Sequence, residues 1–293
     1  MTRAFVGRPS VSPQEAAEWS RRRVLDNNLR SVVGRAYPRV RGLVREPSWV
    51  IFEILLPFLT TSSFVFVYRA LKAPPEYVGF VVVGGAMTAF WLNVVWMMAA
   101  QLHWERDQGN LELYFAAPMD VMSVLFGMAV GGMVLSGTRA TAVLLVASNL
   151  YGVHFAVDRW GLLLVVFMLT LAALYGLGMV LASLFLMWGR EAWHVTQLLI
   201  EPVYFVSGLN FPLASLGRLG ALALATIPLA AGLDAIRQLT FARGLGPPVL
   251  LPPEAEAAIL AGMVVGFIAL ARFSLRTLER RARREGRLTV RWQ

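Results

Sequence analysis

The chain has 293 residues, of which 57% are hydrophobic and 15% charged, whereas a soluble domain carries about 45–50% apolar and about 25% charged residues. Mean hydropathy is +0.59, and the apolar residues come in runs of bilayer length, roughly 20 residues, so a soluble fold is excluded in favour of a polytopic helical membrane protein. Basic residues number 27 against 18 acids, Lys72 is the only lysine and cysteine is absent, which rules out disulfides, thiolate metal sites and cysteine nucleophiles.

Residues 1–48 are polar and arginine-rich, with no apolar stretch of signal-peptide kind, so insertion is expected to be driven by the first span. Residues 1–13 read as a disordered start. From Glu15 to Arg45 apolar residues (Leu25, Leu29, Val32, Val33, Ala36, Val40, Leu43) recur at spacings of three and four, with arginines over much of the remainder. That pattern predicts an amphipathic helix lying in the membrane interface, kinked or divided at Pro38.

Six spans are predicted next, near residues 49–68, 78–101, 121–150, 162–188, 192–209 and 255–273. The expected organisation is thus a cytoplasmic segment 1–48, a six-span domain 49–273 and a basic tail 274–293. Between the last two spans, residues 210–241 are apolar but broken by Pro212, Gly217, Gly220, Pro228 and Gly232. Two half-length segments, 214–227 and 229–241, are each too short to cross and read as a re-entrant hairpin or as interfacial, the alternative being a seventh full span. Ten arginines in 1–48, eight in 272–293, Arg106 and Arg190 fall on one side of such a layout and six basic residues on the other. The bias puts both termini in the cytoplasm. The basic clusters adjoin spans and suit anionic lipid headgroups rather than nucleic acid.

Chemistry is sparse. Lys72 is followed by Ala73 and Pro74, so the Lys-Ser/Thr of a phosphate-binding loop is missing. The esterase Gly-X-Ser-X-Gly and the zinc-binding His-Glu-X-X-His are missing too, and His103, His154 and His194 are scattered. No catalytic residue, metal site or cofactor is expected in this chain. Ionisable residues within spans are functional candidates: Arg139 in the third span and Glu201, before Pro202, in the fifth. Glu53 is expected to pair with Arg41 or Arg45 of the interfacial helix. The pairs Gly127/Gly131 and Gly262/Gly266 permit close helix approach.

The most informative segment is His103–Asp120, HWERDQGNLELYFAAPMD. Charges at Glu105, Arg106 and Asp107 precede Gly109, apolar residues alternate with Glu112, and Pro118 ends a predicted short amphipathic helix over 105–118. This segment resembles the "E-R-E-x-G-T-L-E … S-P" stretch of type-2 ABC exporter permeases, with Asp107 where Glu is usual and Asn110 where Thr is common. Ser207-Gly208-Leu209-Asn210-Phe211-Pro212 is similar to the family's "S-G-x-x-F-P" turn after its fifth span. Pro228-Leu229 through Asp234-Ala235-Ile236-Arg237 resembles its "iPlt … ld-alR" stretch.

The resemblance implies a permease subunit that forms the pathway of an ATP-driven exporter as a dimer, with a second copy or a homologue. Separate ABC ATPase subunits would bind ATP and magnesium. It makes Glu105, Arg106, Asp107, Gly109, Leu111, Glu112 and Pro118 a coupling helix and Arg190 and Glu191 a smaller second contact. It makes residues 15–45 the interfacial elbow and places Glu201, Gly208, Phe211, Pro212 and Arg139 at the outer gate or pathway. An inner-membrane, multi-pass exporter of hydrophobic or amphiphilic cargo is expected. The alternatives are an ion-driven transporter and a membrane-embedded lipid-modifying enzyme.

Overall fold

The computed structural model describes residues 13–45, 47–117, 119–188, 202–213, 224–241 and 251–285, with residues 194, 198, 217 and 220. Helix α1 (Pro13–Arg45) leads to α2 (Pro47–Ala70). Helix α3 (Glu76–Leu92) passes through a π-helical turn (Asn93–Ala99) into α4 (Gln101–Asp107). The short α5 (Asn110–Ala116) precedes α6 (Val121–Tyr151) and α7 (Trp160–Trp188). A helical turn at 202–206 is followed by α8 (Pro228–Thr240) and α9 (Pro253–Glu285).

Five stretches among the described residues are long and apolar enough to cross a bilayer: Val50–Ala70, Glu76–Asp107, Val121–Tyr151, Trp160–Phe185 and Pro253–Leu278. Of the predicted fifth span, near 192–209, the eight residues 192, 193, 195–197 and 199–201 lie outside the described residues, as does most of 214–227. Among the described residues the fold is helical, and the one β-type contact is a bridge between Ala156 and Phe241.

Local chemistry explains the elements. Helix α2 holds Pro57 in its interior, which removes a backbone donor. Thr60, Thr61, Ser62 and Ser63 follow it, and each hydroxyl donates to the carbonyl four residues back, 2.7–3.1 Å away. Four polar side chains are thereby satisfied within an apolar span. Helix α6 starts at Asp120, whose carboxylate accepts from the Met122 N–H at 3.0 Å. It ends at Gly152, φ +71°, the left-handed conformation that suits glycine.

Helix α3 is apolar all round and buried from Val78 to Trp91, as expected of a helix at the centre of a bundle. Its Phe90 and Trp91 join Met98 of the π turn, Leu125 and Met128 of α6, Leu174 and Tyr175 of α7 and Leu229 and Leu233 of α8 in one core. Small residues let these helices approach: Gly132 lies against Asn93 and Tyr175, and Gly178 against Val94 and Met98.

Helix α1 is continuous through Pro38. Asn28 bonds Asp120 and Ser31 bonds Ser123, while Val32 and Ala36 seat on Gly127 and Gly131. The near-constant offset means that residues 28–36 follow α6 turn for turn, in the same direction, so this stretch runs along α6 and not across it. Leu25, Leu29 and Val33 face outward, each more than 60% exposed. Gly262 and Gly266 have nothing within contact distance.

The bundle has two distinct ends. At one, Phe185 of α7 packs on Ala99 and Ala100. At the other, Tyr68 donates to the Asn210 carbonyl, Arg69 donates to that of Tyr151, and Arg159 pairs with Glu254. Gly232 of α8 seats against Thr170, ten residues into α7 and so about 15 Å from that end. Helix α8 therefore runs outward from mid-depth.

Candidate functional site

The first resemblance segment sits at the Ala99/Phe185 end and is not one helix. Helix α4 stops at Asp107, the chain turns at Gln108 and Gly109, and α5 starts at Asn110. Gly109 has φ +77°, which glycine adopts at little cost. Glu105, Arg106 and Asp107 thus end the second span, and Asn110–Ala116 forms the separate short helix.

Glu105 is 3% exposed and its carboxylate joins three elements. Oε1 pairs with Arg35 of α1 at 2.5 Å and accepts from Gln101 at 2.8 Å. Oε2 accepts from Asn110 at 3.0 Å and from the Tyr114 hydroxyl at 2.7 Å. Arg35 also donates to the Tyr114 hydroxyl, and its guanidinium lies 4.8 Å from that ring's centroid. Asn110, where the family often has Thr, supplies one of these donors. One buried anion, with charge-assisted bonds, holds α1, α4 and α5 together.

Around it, His103 lies 3.3 Å from Asp107 and 2.8 Å from Arg106. The Asp107 side chain is 58% exposed. Leu111 is buried and Leu113 is 66% exposed. Glu112 lies in α5; Pro118, Arg190 and Glu191 fall outside the described residues.

One turn above, Arg39 of α1 donates to the carbonyls of Met97 at 2.7 Å and Met128 at 3.1 Å, and to Gln101 at 3.3 Å. A π turn interrupts the i→i+4 ladder, and Arg39 supplies a donor to a carbonyl within it. Burial pushes its guanidinium down to about 10, against the opposing influence of Tyr175.

Arg139 and Glu53 form an ion pair between α6 and α2. This corrects the expected pairing of Glu53 with Arg41 or Arg45. Helices α2 and α6 run in the same direction and end together at Arg69 and Tyr151, but α6 is the longer helix and begins earlier, so Glu53, early in α2, meets the middle of α6. Arg139 is buried, as is Asn93, whose Oδ1 accepts from Tyr175 at 2.9 Å.

The second and third resemblance segments meet at the opposite end. Arg237 of α8, 6% exposed, donates to the carbonyls of Gly208 at 2.6 Å, Leu209 at 2.7 Å and Phe80 at 2.8 Å. Its guanidinium also lies 3.2 Å from the Phe80 ring centroid. Gly208 has φ +67°, and Phe211 packs on Phe205, ring centroids 5.7 Å apart. Pro212 continues this turn, and Glu201 falls outside the described residues. Gly208 and Phe211 are thus brought together, whereas Arg139 stands apart on α6.

Arg35, Tyr114 and Arg237 were not singled out in the sequence. Arg237 does lie within the third resemblance segment, which was the available signal. Among the described residues no three His, Asp or Glu side chains gather as metal ligands would.

Residues 39–241, well over half of the chain, match the family model described as "ABC-2 type transporter". The match contains all three resemblance segments. No curated protein matches the chain.

Proposed function

The chain belongs to the ABC-2 type transporter family and is a multi-pass membrane permease; from that premise we propose that it forms the pathway of an ATP-driven exporter as a dimer and is driven by separate ABC ATPase subunits. The observation that carries the coupling reading is the Glu105 knot. It fixes α5 as a short separate helix at one end of the bundle, with Asp107 and Leu113 exposed. A partner could dock there. Glu105 acts in this reading as a positioning residue, since its carboxylate is spent on Arg35, Gln101, Asn110 and Tyr114.

The same reading puts this end in the cytoplasm, together with the arginine-rich termini, in the inner membrane. Phe185 and Gly208 lie at opposite ends of the bundle, which supports a sixth crossing between α7 and the 207–213 turn. The outward run of α8 from mid-depth supports its role as one arm of a re-entrant hairpin. The exposed apolar face of α1 supports an elbow buried in the headgroup region, its C-terminal half rising along α6. Arg190 and Glu191 are assigned to a second ATPase contact. Glu201, Gly208, Phe211 and Pro212 are assigned to the outer gate. The apolar character of the spans supports a hydrophobic or amphiphilic cargo.

Co-purification tests the coupling face. The tagged chain, co-expressed with its genomic neighbours, is expected to bring down an ABC ATPase. L113R is expected to lose that partner while its own thermal midpoint is unchanged. An ATPase retained in full by both L113R and D107R would overturn the docking assignment.

A further inference from the structure

At the Arg159/Glu254 end of the bundle a small polar cluster joins α8 to the start of α9. The Gln238 side-chain NH2 on α8 lies 2.8 Å from the Leu251 carbonyl, 3.0 Å from Asp234 Oδ2 on its own helix and 3.3 Å from Glu256 Oε2 on α9. Turning the amide over would set its oxygen against three others, so the network fixes its orientation. Glu256 is 0% exposed, and its second oxygen, Oε1, receives no donor among the described residues. The Asp234 and Glu256 carboxyl groups are within hydrogen-bond reach of each other.

The donors fall short of the acceptors. An amide NH2 has two hydrogens, and of the three acceptors around it Leu251 and Asp234 are the nearer. The first-turn N–H groups of Ala255 and Glu256 are already bonded to the Pro252 carbonyl. Nor does a cation answer Glu256 among the described residues. Arg159 pairs with Glu254, and Arg237 is spent on the carbonyls of Gly208, Leu209 and Phe80. Helix α7 packs on both α8 and α9 and brings one titratable group, Tyr175, which is bonded to Asn93; α3 packs on α8 and brings Glu76 and Tyr77. A buried carboxylate with neither cation nor full donor is strongly disfavoured. One proton removes both faults. A Glu256 O–H supplies the missing donor, and Asp234, within the field of Arg237, accepts as the anion.

We infer that Asp234 and Glu256 hold one proton between them, and that this proton latches α8 to the start of α9. When the latch opens, the proton passes to water and the two carboxylates are solvated separately. When it closes, Glu256 takes a proton back, because two like charges cannot share the buried site. The proton site rests on the fold alone. Under the permease reading α8 is an arm of the re-entrant hairpin, so the pH at that end of the bundle sets how firmly the arm is held.

The test uses the full chain in lipid nanodiscs. Infrared spectra at neutral pH are expected to show a protonated-carboxyl band that shifts on isotopic labelling of glutamate, is lost in E256Q and survives in E254Q. E256Q sets an NH2 where the O–H stood, so it is expected to keep α8 in place, with a thermal midpoint within about 2 °C of the parent's. Hydrogen exchange of residues 236–241 is then followed from about pH 6 to 8, with E256Q as the reference at each pH. Release of one proton on opening makes the parent-to-E256Q ratio of opening rise about tenfold per pH unit, a slope that a merely structural contact would not give. A ratio that does not move with pH overturns the latch. A band unchanged in E256Q overturns the bound proton, as does the absence of a glutamate-sensitive band from the parent, which needs no variant to fold. In each of these cases the permease assignment stands, since it rests on the family match.

Discussion

Replacing Glu105 by Gln preserves shape and removes charge, which makes it a sharp probe of the α1–α4–α5 knot. The carboxylate offers two acceptor oxygens to four donors: Arg35 and Gln101 on one side, Asn110 and Tyr114 on the other. A Gln amide can present its oxygen to only one side. If the oxygen stays with Arg35 and Gln101, the new NH2 faces the Asn110 NH2, and two donors oppose each other. Bonds to a charged acceptor contribute about 1.5–3 kcal/mol each. Losing one and weakening the others gives an expected cost of about 2–4 kcal/mol, felt as release of α1 and α5 rather than as global unfolding.

The assay is a double-mutant cycle with R35M, read by the thermal midpoint in detergent and by proteolysis at the Gln108–Gly109 turn. If the two residues act as one unit, E105Q/R35M should be no worse than the poorer single variant, with a coupling of about 1.5–3 kcal/mol. Additive effects within about 0.5 kcal/mol, or an E105Q turn as protease-resistant as the parent, would refute the knot as the device that positions α5.

Other expectations follow from the same geometry. R139L strands the Glu53 carboxylate and is expected to cost about 3–5 kcal/mol, whereas E53L/R139L should regain most of that; thermal midpoints of the three variants decide it. G208A introduces a Cβ at φ +67°, 2.8 Å from the Leu213 side chain, and is expected to cost about 1–2 kcal/mol, visible as faster proteolysis of the 207–213 turn. R237K keeps the charge but cannot reach the Phe80, Gly208 and Leu209 carbonyls together, so its thermal midpoint should fall nearly as far as that of R237L. Full rescue by Lys would mean that charge alone matters there.

Hydrophobic runs located α2, α6 and α7 and the start of α9 to within a few residues, because spans need only length and apolarity, whereas α9 continues twelve residues past the predicted end at Phe273. Neighbours were less legible. Glu53 was expected beside the arginines nearest in sequence, yet it meets Arg139 because the register between α2 and α6 is set by packing. The π turn at Asn93–Ala99 leaves no signature in composition. The predicted 105–118 helix breaks at Gly109, the one position in it that needs a left-handed backbone. Arg35 was read as one more arginine on a polar face; its partner lies 70 residues away, beyond the reach of periodicity. The resemblance segments fared better, since each carries the residues that fix its geometry: Glu105 and Asn110 in the first, Gly208 in the second, Arg237 in the third.

Those segments share one structural member. The span Glu76–Asp107 carries the Glu105 knot at one end and, at the other, the Phe80 carbonyl and ring that hold Arg237. About 45 Å of nearly continuous helix thus joins the proposed docking face to the turn proposed as the outer gate. It departs from the α ladder only at the π turn, where Asn93 is bonded by Tyr175 and the Met97 carbonyl by Arg39. Gln101 bonds both Arg39 and Glu105, so α1 grips this member at the π turn and again at the knot. A partner that moves α5 must therefore move α1 and this span together or break buried charge-assisted bonds. Under the proposed mechanism that makes the span a rigid lever, and the place where it can yield is the π turn.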